Sequence, residues 1–429
     1  MVRRDTIDGG RWPLHVRMTL GVAAGIVAGT IAHAWLAGDP RLESLLRWVV
    51  RPVGQLFLRA LFMLVLPLVV SALALGVAQL GDLRTLGRVG LRTLVYTVTV
   101  SAIAVLLGVG LANLLQPGVG LSEDAKARLL EGAAERAAGI AQAPSRAGMD
   151  LLVQIVPSNP VKAAAEGDML AVMFFALMLG VGLAMVRTDG ARALESALEG
   201  LYDVAMRLIR MILAVAPWGV AALLFAVTAD VGWEVLIQLA RYVGVVVLAL
   251  ATHQFVVYPI VLRTVGKTSP RAFFRAVQPA MATAFSTASS NASLPTALEV
   301  AEDRLLLPPH IARFVLTIGA TANQNGTALF EGVTVLFLAQ VYGVELSVAQ
   351  QFTVVAISVL GGIGTAGVPA GSIPVVAMIL GLVGVPPEGI GLVLGVDRFL
   401  DMCRTTLNVT GDLAAAVVVS RLSAGDHPA

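Results

Sequence analysis

Asp397-Arg398-Phe399-Leu400-Asp401-Met402-Cys403-Arg404-Thr405-Thr406-Leu407-Asn408-Val409-Thr410-Gly411-Asp412 is a polar insertion in a chain that is otherwise dominated by apolar runs. Six of its residues, Asp397, Asp401, Arg404, Thr405, Asn408 and Asp412, stand at relative offsets 0, 4, 7, 8, 11 and 15. At about 100° per residue they fall within an arc of roughly 100° on one helical face, with Leu, Val, Met and Ala on the remainder. An ionised group at the middle of a bilayer costs about 2.5–3.5 kcal/mol, so four cost about 10 kcal/mol, comparable to the stability of a whole domain. Such a stripe must face partners, ions or a bound solute. Arg404 is expected to pair with Asp401 or Asp397. Three carboxylates against one guanidinium still leave negative charge, which invites an extra cation.

The rest of the chain explains why a bilayer is the relevant solvent. Of 429 residues, 57% are hydrophobic and 14% charged, with a mean hydropathy of +0.83. Soluble domains run at about 45–50% apolar and about 25% charged. The long runs Arg17–Leu36, Leu94–Leu115 and Val243–Leu262 do not alternate with period two, which favours helices over barrel strands. The expected fold class is an all-α membrane protein. The net charge of +2 gathers on no single basic face, so nucleic-acid binding has no support. One cysteine, Cys403, excludes an internal disulfide framework, and the scattered His15, His33, His253, His310 and His427 suggest no metal cluster.

Eight spans and two shorter, interrupted hairpins are predicted. Spans one to six cover about 14–37, 50–80, 89–116, 150–187, 195–229 and 233–265; hairpins cover about 271–304 and 350–385; spans seven and eight cover about 309–341 and 388–422. Leu121–Met149, rich in Ala, Arg and Glu, reads as an external, partly helical insertion. With a cytoplasmic N-terminus, the inner segments carry Arg3, Arg4, Arg11 and Arg17, then Arg84, Arg88 and Arg92, then Arg187 and Arg192, then Arg263, Lys267, Arg271 and Arg275. Acidic Asp230 and Glu234 lie outside, so the positive-inside rule places both termini in the cytoplasm and the chain in the inner membrane. The basic start and Ala32-His33-Ala34 imitate a cleaved signal peptide, but further spans follow and a retained first span is the preferred reading.

The hairpins are broken by small residues and proline: Ser286-Thr287-Ala288-Ser289-Ser290-Asn291-Ala292-Ser293-Leu294-Pro295 in the first, Gly361-Gly362-Ile363-Gly364-Thr365-Ala366-Gly367-Val368-Pro369 in the second. Interrupted helices in corresponding halves point to a transporter's binding site, although ordinary glycine-rich helix packing is the competing explanation. On span eight, Arg404 offers a planar fork for a carboxylate, Asp401 suits an ammonium group, and Thr405 and Asn408 supply neutral hydrogen bonds. Together they describe a pocket for an acidic amino acid. Span seven contributes Gly319-Ala320-Thr321-Ala322-Asn323-Gln324-Asn325-Gly326-Thr327, which predicts local unwinding with exposed carbonyls. Glu331 follows within an apolar run. A desolvated carboxyl there could hold a proton near neutral pH; an interfacial glutamate is the plainer alternative.

Four marks, occurring in this order, give the chain a specific resemblance from span one to the end of span eight. They are the serine-rich first hairpin ending in Leu294-Pro295, Gly364-Thr365-Ala366-Gly367-Val368-Pro369, Asp401-Met402-Cys403-Arg404-Thr405, and Asn408-Val409-Thr410-Gly411-Asp412. The chain resembles the dicarboxylate/amino acid:cation symporter family. The resemblance implies inverted repeats and a homotrimer of elevator type. Residues 14–85 and 150–229 would form the scaffold, 86–116 and 230–423 the moving transport domain, and 117–149 the external insertion. It implies that Ser290, Thr327, Val368, Asp401, Arg404, Thr405 and Asn408 line the substrate, and that Gly364, Thr365, Ala366, Gly367, Val368 and Pro369 form the gate. Dicarboxylate members lack an acid at the position of Asp401, which favours an amino-acid substrate.

Departures from the family pattern bear on coupling. Sodium-coupled members have a Met-Asp pair where Gln324-Asn325 stand here, and a tyrosine and a threonine at the positions of Thr97 and Val100, beside the retained Tyr96 and Ser101. An amide in place of an anionic ligand weakens a cation site. Glu331 matches the glutamate assigned as proton carrier in the animal transporters, and Asp412 survives from another sodium site, where it could bind a proton or a residual cation. Ala288 and Met402 replace the arginine associated with potassium coupling, so potassium counter-transport is not expected. Proton-coupled uptake of glutamate or aspartate, with no cofactor and no resident metal, is the leading expectation. Sodium coupling of the same carrier, or a proton-coupled dicarboxylate carrier, is the alternative. An ion channel fits less well because opposite charges converge on one pocket, and an intramembrane enzyme lacks a nucleophile–base or metal-ligand arrangement near Asp401.

Overall fold

The computed structural model describes residues 14–36, 39–80, 83–120, 156–166, 169–186, 188–232, 234–364 and 372–423. Residues 121–149 of the predicted insertion, and Thr365, Ala366, Gly367, Val368 and Pro369 of the second hairpin, lie outside them. The described residues form an all-helical fold with no strand.

The first half is built on a long contact between α1 (Leu14–Leu36) and α8 (Asp189–Val231). Gly21, Gly25 and Gly29, one turn apart, lie directly on the α8 backbone, and a Cβ at Gly25 would come within 2.5 Å of the Ala221 carbonyl oxygen. Small residues at this spacing let two helices approach closely, and polar contacts flank the seam: Arg17 Nη2 donates to the Ala214 carbonyl at 3.1 Å, and His33 Nδ1 lies 2.9 Å from the Ala229 carbonyl oxygen. Thr188 caps α8 by accepting from the Ala191 N–H at 3.2 Å. The helix bends by 56° between Ile209 and Ala214. Pro217 lies inside α8; it has no N–H for the carbonyl four residues back, and its ring crowds that carbonyl.

The chain from residue 39 to residue 80 departs from the single predicted span. A short helix, α2 (Pro40–Leu45), passes through a π turn, Leu46–Val50, into α3 (Arg51–Phe62), and the chain turns at Met63 and Leu64 before α4 (Val65–Leu80). The break has a sequence cause in Pro67, whose ring excludes a helical carbonyl at residue 63. A short α6 (Pro160–Glu166) precedes α7 (Met169–Met185), and α7 packs on α4.

The second half surrounds α17 (Ile390–Ser423). This helix has 34 residues, about 51 Å at the standard rise. Against it pack α9 (Glu234–Thr252), which runs through a π turn into α10 (Tyr258–Thr264), together with α11 (Pro270–Thr287), α13 (Pro309–Ala322) and α14 (Asn325–Val341). α5 (Leu83–Leu115) lies along α14, which is buried over nearly its whole length. α11 turns into α12 (Ser290–Glu299) through Ala288, which takes a left-handed backbone at φ +48°, and Ser289, whose hydroxyl accepts from the Ala292 N–H at 3.2 Å. α15 (Val348–Gly364) and α16 (Ser372–Leu382) are the described arms of the second hairpin.

Two helices, Arg88–Leu115 and Val235–Thr264, are each long and apolar enough to cross a membrane, and the two bent parts of α8 add a third if they count together. Leu20–Leu36, Ala171–Met185 and Val348–Gly362 are apolar but shorter. These are counts among the described residues by length and composition. Where the described chain itself departs from a predicted span, the cause is local: a break near Pro67 divides the second span and the turn at Asn323 and Gln324 divides the seventh. α17 is long enough, but it carries Asp397, Arg398, Asp401, Arg404 and Asp412.

Candidate functional site

The six polar residues expected on one face of α17 are all buried. Their partners come from the break in span seven. The helical bonds stop at Ala322, because Asn323 and Gln324 turn to ψ +69° and +56°, and α14 begins at Asn325. Asn408 fills the gap from the side of α17. Its carbonyl oxygen accepts from the Gly326 N–H at 2.7 Å, and its amide nitrogen donates to Gln324 Oε1 at 2.5 Å and Thr327 Oγ1 at 3.1 Å. One side chain thus satisfies backbone and side-chain groups that the unwinding frees. Gly326 is required here: a Cβ would come within 2.6 Å of the Arg404 carbonyl oxygen.

The same break reaches the first hairpin. Gln324 donates from Nε2 to Ser290 Oγ at 3.4 Å and to the Ala320 carbonyl at 3.0 Å. Ser290, Gln324, Thr327 and Asn408 therefore form one hydrogen-bonded group. Thr405 is buried on the same face of α17. Val368 lies outside the described residues, as does the gate apart from Gly364, the last residue of α15.

Arg404 is 2% exposed and held from three directions. Its Nη1 donates to Asp397 Oδ1 at 2.8 Å, its Nη2 lies 3.0 Å from Asp401 Oδ1, and its guanidinium plane sits 4.2 Å from the centre of the Phe330 ring. Both expected pairings are present. Arg398, which the count of the polar face left out, adds a second cation: its Nη1 lies 3.7 Å from Asp401 Oδ2, so the excess of carboxylates on this helix falls to one, Asp412. The ladder Asp397–Arg404–Asp401–Arg398 is balanced, two charges against two. Asp412 stands apart, accepting from Asn323 Nδ2 at 2.8 Å. Arg398 escapes a face-based reading because it is one residue past Asp397, about 100° around the helix from it, and meets Asp401 from the flank.

Asn325 stands where the resemblance implies an altered cation site. Ser101 donates to Asn325 Oδ1 at 2.6 Å, Asn325 Nδ2 donates to the Tyr258 hydroxyl at 3.0 Å, and that hydroxyl donates to the Leu407 carbonyl at 3.1 Å. Both ends of the amide are thereby used by neutral protein groups. Thr97 and Val100 are buried on α5. Glu331 is wholly buried, and neither carboxyl oxygen has a hydrogen-bond partner among the described residues. It faces α15: a Cβ at Gly361 would come within 2.8 Å of Glu331 Oε2. This surrounding of protein on every side does not fit the interfacial alternative.

A family model described as the sodium:dicarboxylate symporter family matches residues 14–422. The chain is 34% identical over 420 residues to a proton/sodium-glutamate symport protein of Bacillus subtilis, covering 98% of this chain and 95% of that protein. It is 33% identical over 411 residues to a proton/glutamate-aspartate symporter of Escherichia coli, covering 96% and 93%. It is 32% identical over 409 residues to a C4-dicarboxylate transport protein of Rhodospirillum rubrum, covering 95% and 88%. With a match that runs from α1 to the end of α17, over the broken helix, the polar stripe and both hairpins, the chain belongs to the sodium:dicarboxylate symporter family.

Proposed function

We propose that this protein is a secondary active transporter that carries glutamate or aspartate into the cell together with protons. The carrying observation is the buried Arg404, fixed on Phe330 and aligned by Asp397 and Asp401 beside the polar break of α13 and α14. A guanidinium so placed can receive a side-chain carboxylate in bidentate fashion. Asp401 receives the ammonium, and Thr405, Asn408, Thr327 and Ser290 orient the remainder, with Val368 completing the pocket from the second hairpin. An acid at position 401 favours an amino acid over a simple dicarboxylate, because a second carboxylate in place of the ammonium would face like charge.

Proton coupling is supported by two features. Glu331 has no ion pair or hydrogen bond to stabilise its charged form among the described residues, so the protonated acid is the form its surroundings suit. Asn325 is neutral and engaged at both ends, which opposes cation binding there. Sodium coupling remains the second reading on one observation: beside Asp412, the side-chain oxygen Oδ1 of Asn323 has no partner among the described residues, so a carboxylate and an amide oxygen stand together.

The transporter has eight spans and two re-entrant hairpins and works as a homotrimer of elevators in the inner membrane, termini cytoplasmic. Residues 14–85 and 150–229 form the scaffold, and 86–116 and 230–423 carry the substrate. The packing of α1 on α8 and α4 on α7, and of α5, α9, α11, α13 and α14 around or beside α17, supports this division. The test is glutamate uptake into proteoliposomes with sodium and pH varied independently. Accumulation driven by an inward proton gradient without sodium is expected; strict sodium dependence would refute proton coupling.

A further inference from the structure

The two oxygens of Asp401 face different guanidinium groups, and the two are held very differently. Arg404 lies 3.0 Å from Oδ1, is almost completely buried, and is fixed by Asp397 and the Phe330 ring. Arg398 lies 3.7 Å from Oδ2, its side chain is 28% exposed, and its buried Nε has no hydrogen-bond partner among the described residues. The shorter, drier, better-supported pair is the anchor. The longer pair at the rim is the one that yields.

A carboxylate already shared by two cations is a poor receptor for a third. An ammonium group approaching Asp401 must therefore compete, and the partner it can displace at least cost is Arg398, whose guanidinium can turn to water. We propose that Arg398 is a positioning residue for the amine end of the substrate: it occupies the second oxygen of Asp401, yields it to the incoming ammonium, and returns as the amino acid leaves. The inference rests on the pocket reading of Asp401 given above. It assigns to Arg398 the setting of how tightly, and for how long, the amine is held. Keeping the acid neutralised also removes the cost of leaving it unpaired and charged while the site exchanges its contents.

The sign of one measurement separates this role from simple attraction. If Arg398 merely drew anions towards the site, removing its charge would slow their arrival and leave the loss of aspartate unchanged or faster. If it competes with the ammonium, removal slows that loss. The experiment uses the full-length purified protein and radiolabelled aspartate. In Arg398→Gln the dissociation rate is expected to fall about two- to fivefold, the range carried by a partly exposed ion pair, and Arg398→Lys restores the original rate. The ratio of aspartate to succinate affinity, from competition against labelled glutamate uptake, should rise by the same factor, since the shared dicarboxylate charge cancels in that ratio. Asp401→Asn serves as the control and should lower the ratio. Unchanged or faster dissociation in Arg398→Gln, with Asp401→Asn still lowering the ratio, overturns the role of Arg398 and leaves the pocket standing. A ratio unmoved by Asp401→Asn overturns both.

Discussion

The amide nitrogen of Asn325 donates to the hydroxyl of Tyr258 at 3.0 Å, while the hydroxyl of Ser101 donates to its oxygen at 2.6 Å, so three different helices meet on one neutral side chain. On the proposed reading, this arrangement keeps a cation from a place where an anion would attract one. Asn325→Asp would put a buried carboxylate there without an ionic partner, a change that costs several kcal/mol unless a cation fills the site. Its melting temperature in sodium-free buffer is expected to fall, and to recover as sodium is added, because a ligand that binds only the folded state stabilises it. Uptake by this variant should also become sodium-stimulated. A sodium-independent melting curve would show that the amide is not what closes the site.

Asn408 carries the junction between α14 and α17. Asn408→Leu keeps much of the volume but removes the acceptor of the Gly326 N–H and the donor to Gln324 and Thr327. Leaving such groups unpaired in a buried place costs about 1–3 kcal/mol. Thermal unfolding should move down accordingly, and aspartate binding should be lost even at temperatures where the variant is folded. Normal binding would mean that the junction supports the fold alone.

In the proposed pocket, Arg404 is the group that takes the side-chain carboxylate. Arg404→Ala leaves Asp397 and Asp401 buried without that partner, and breaking such a pair costs about 3–5 kcal/mol. Glutamate and aspartate affinity is expected to fall more than a hundredfold in direct binding assays, with neutral amino acids gaining relative to acidic ones. Unaltered glutamate affinity would contradict the pocket.

Much of this site was legible in the sequence, and the gaps have identifiable causes. The stripe on α17 follows from helical periodicity, because ionised groups in an apolar chain have few places to go, and all six residues are buried. The unwinding at Asn323 and Gln324 was announced by amides and glycines where apolar residues belong. Two further signals were present and unread: Pro67, which breaks the expected second span, and Gly21, Gly25 and Gly29, whose spacing marks the face of α1 that meets α8. Arg398 is a third: it stands three residues before Asp401, the spacing at which helical side chains pair, and went unread because the count was confined to one face. The unpartnered state of Glu331 is different in kind: it depends on what α15 places beside it, which is Gly361 and not a donor.

The most direct test of proton-coupled uptake is the proton movement itself, read by a pH-sensitive dye inside sodium-free proteoliposomes as external glutamate is added. The lumen is expected to acidify with glutamate entry. Glu331→Gln should abolish that signal while exchange of labelled for unlabelled glutamate continues. Glutamate entry without acidification in the unmodified protein, or an acidification that Glu331→Gln leaves intact, would contradict the role given to that carboxyl.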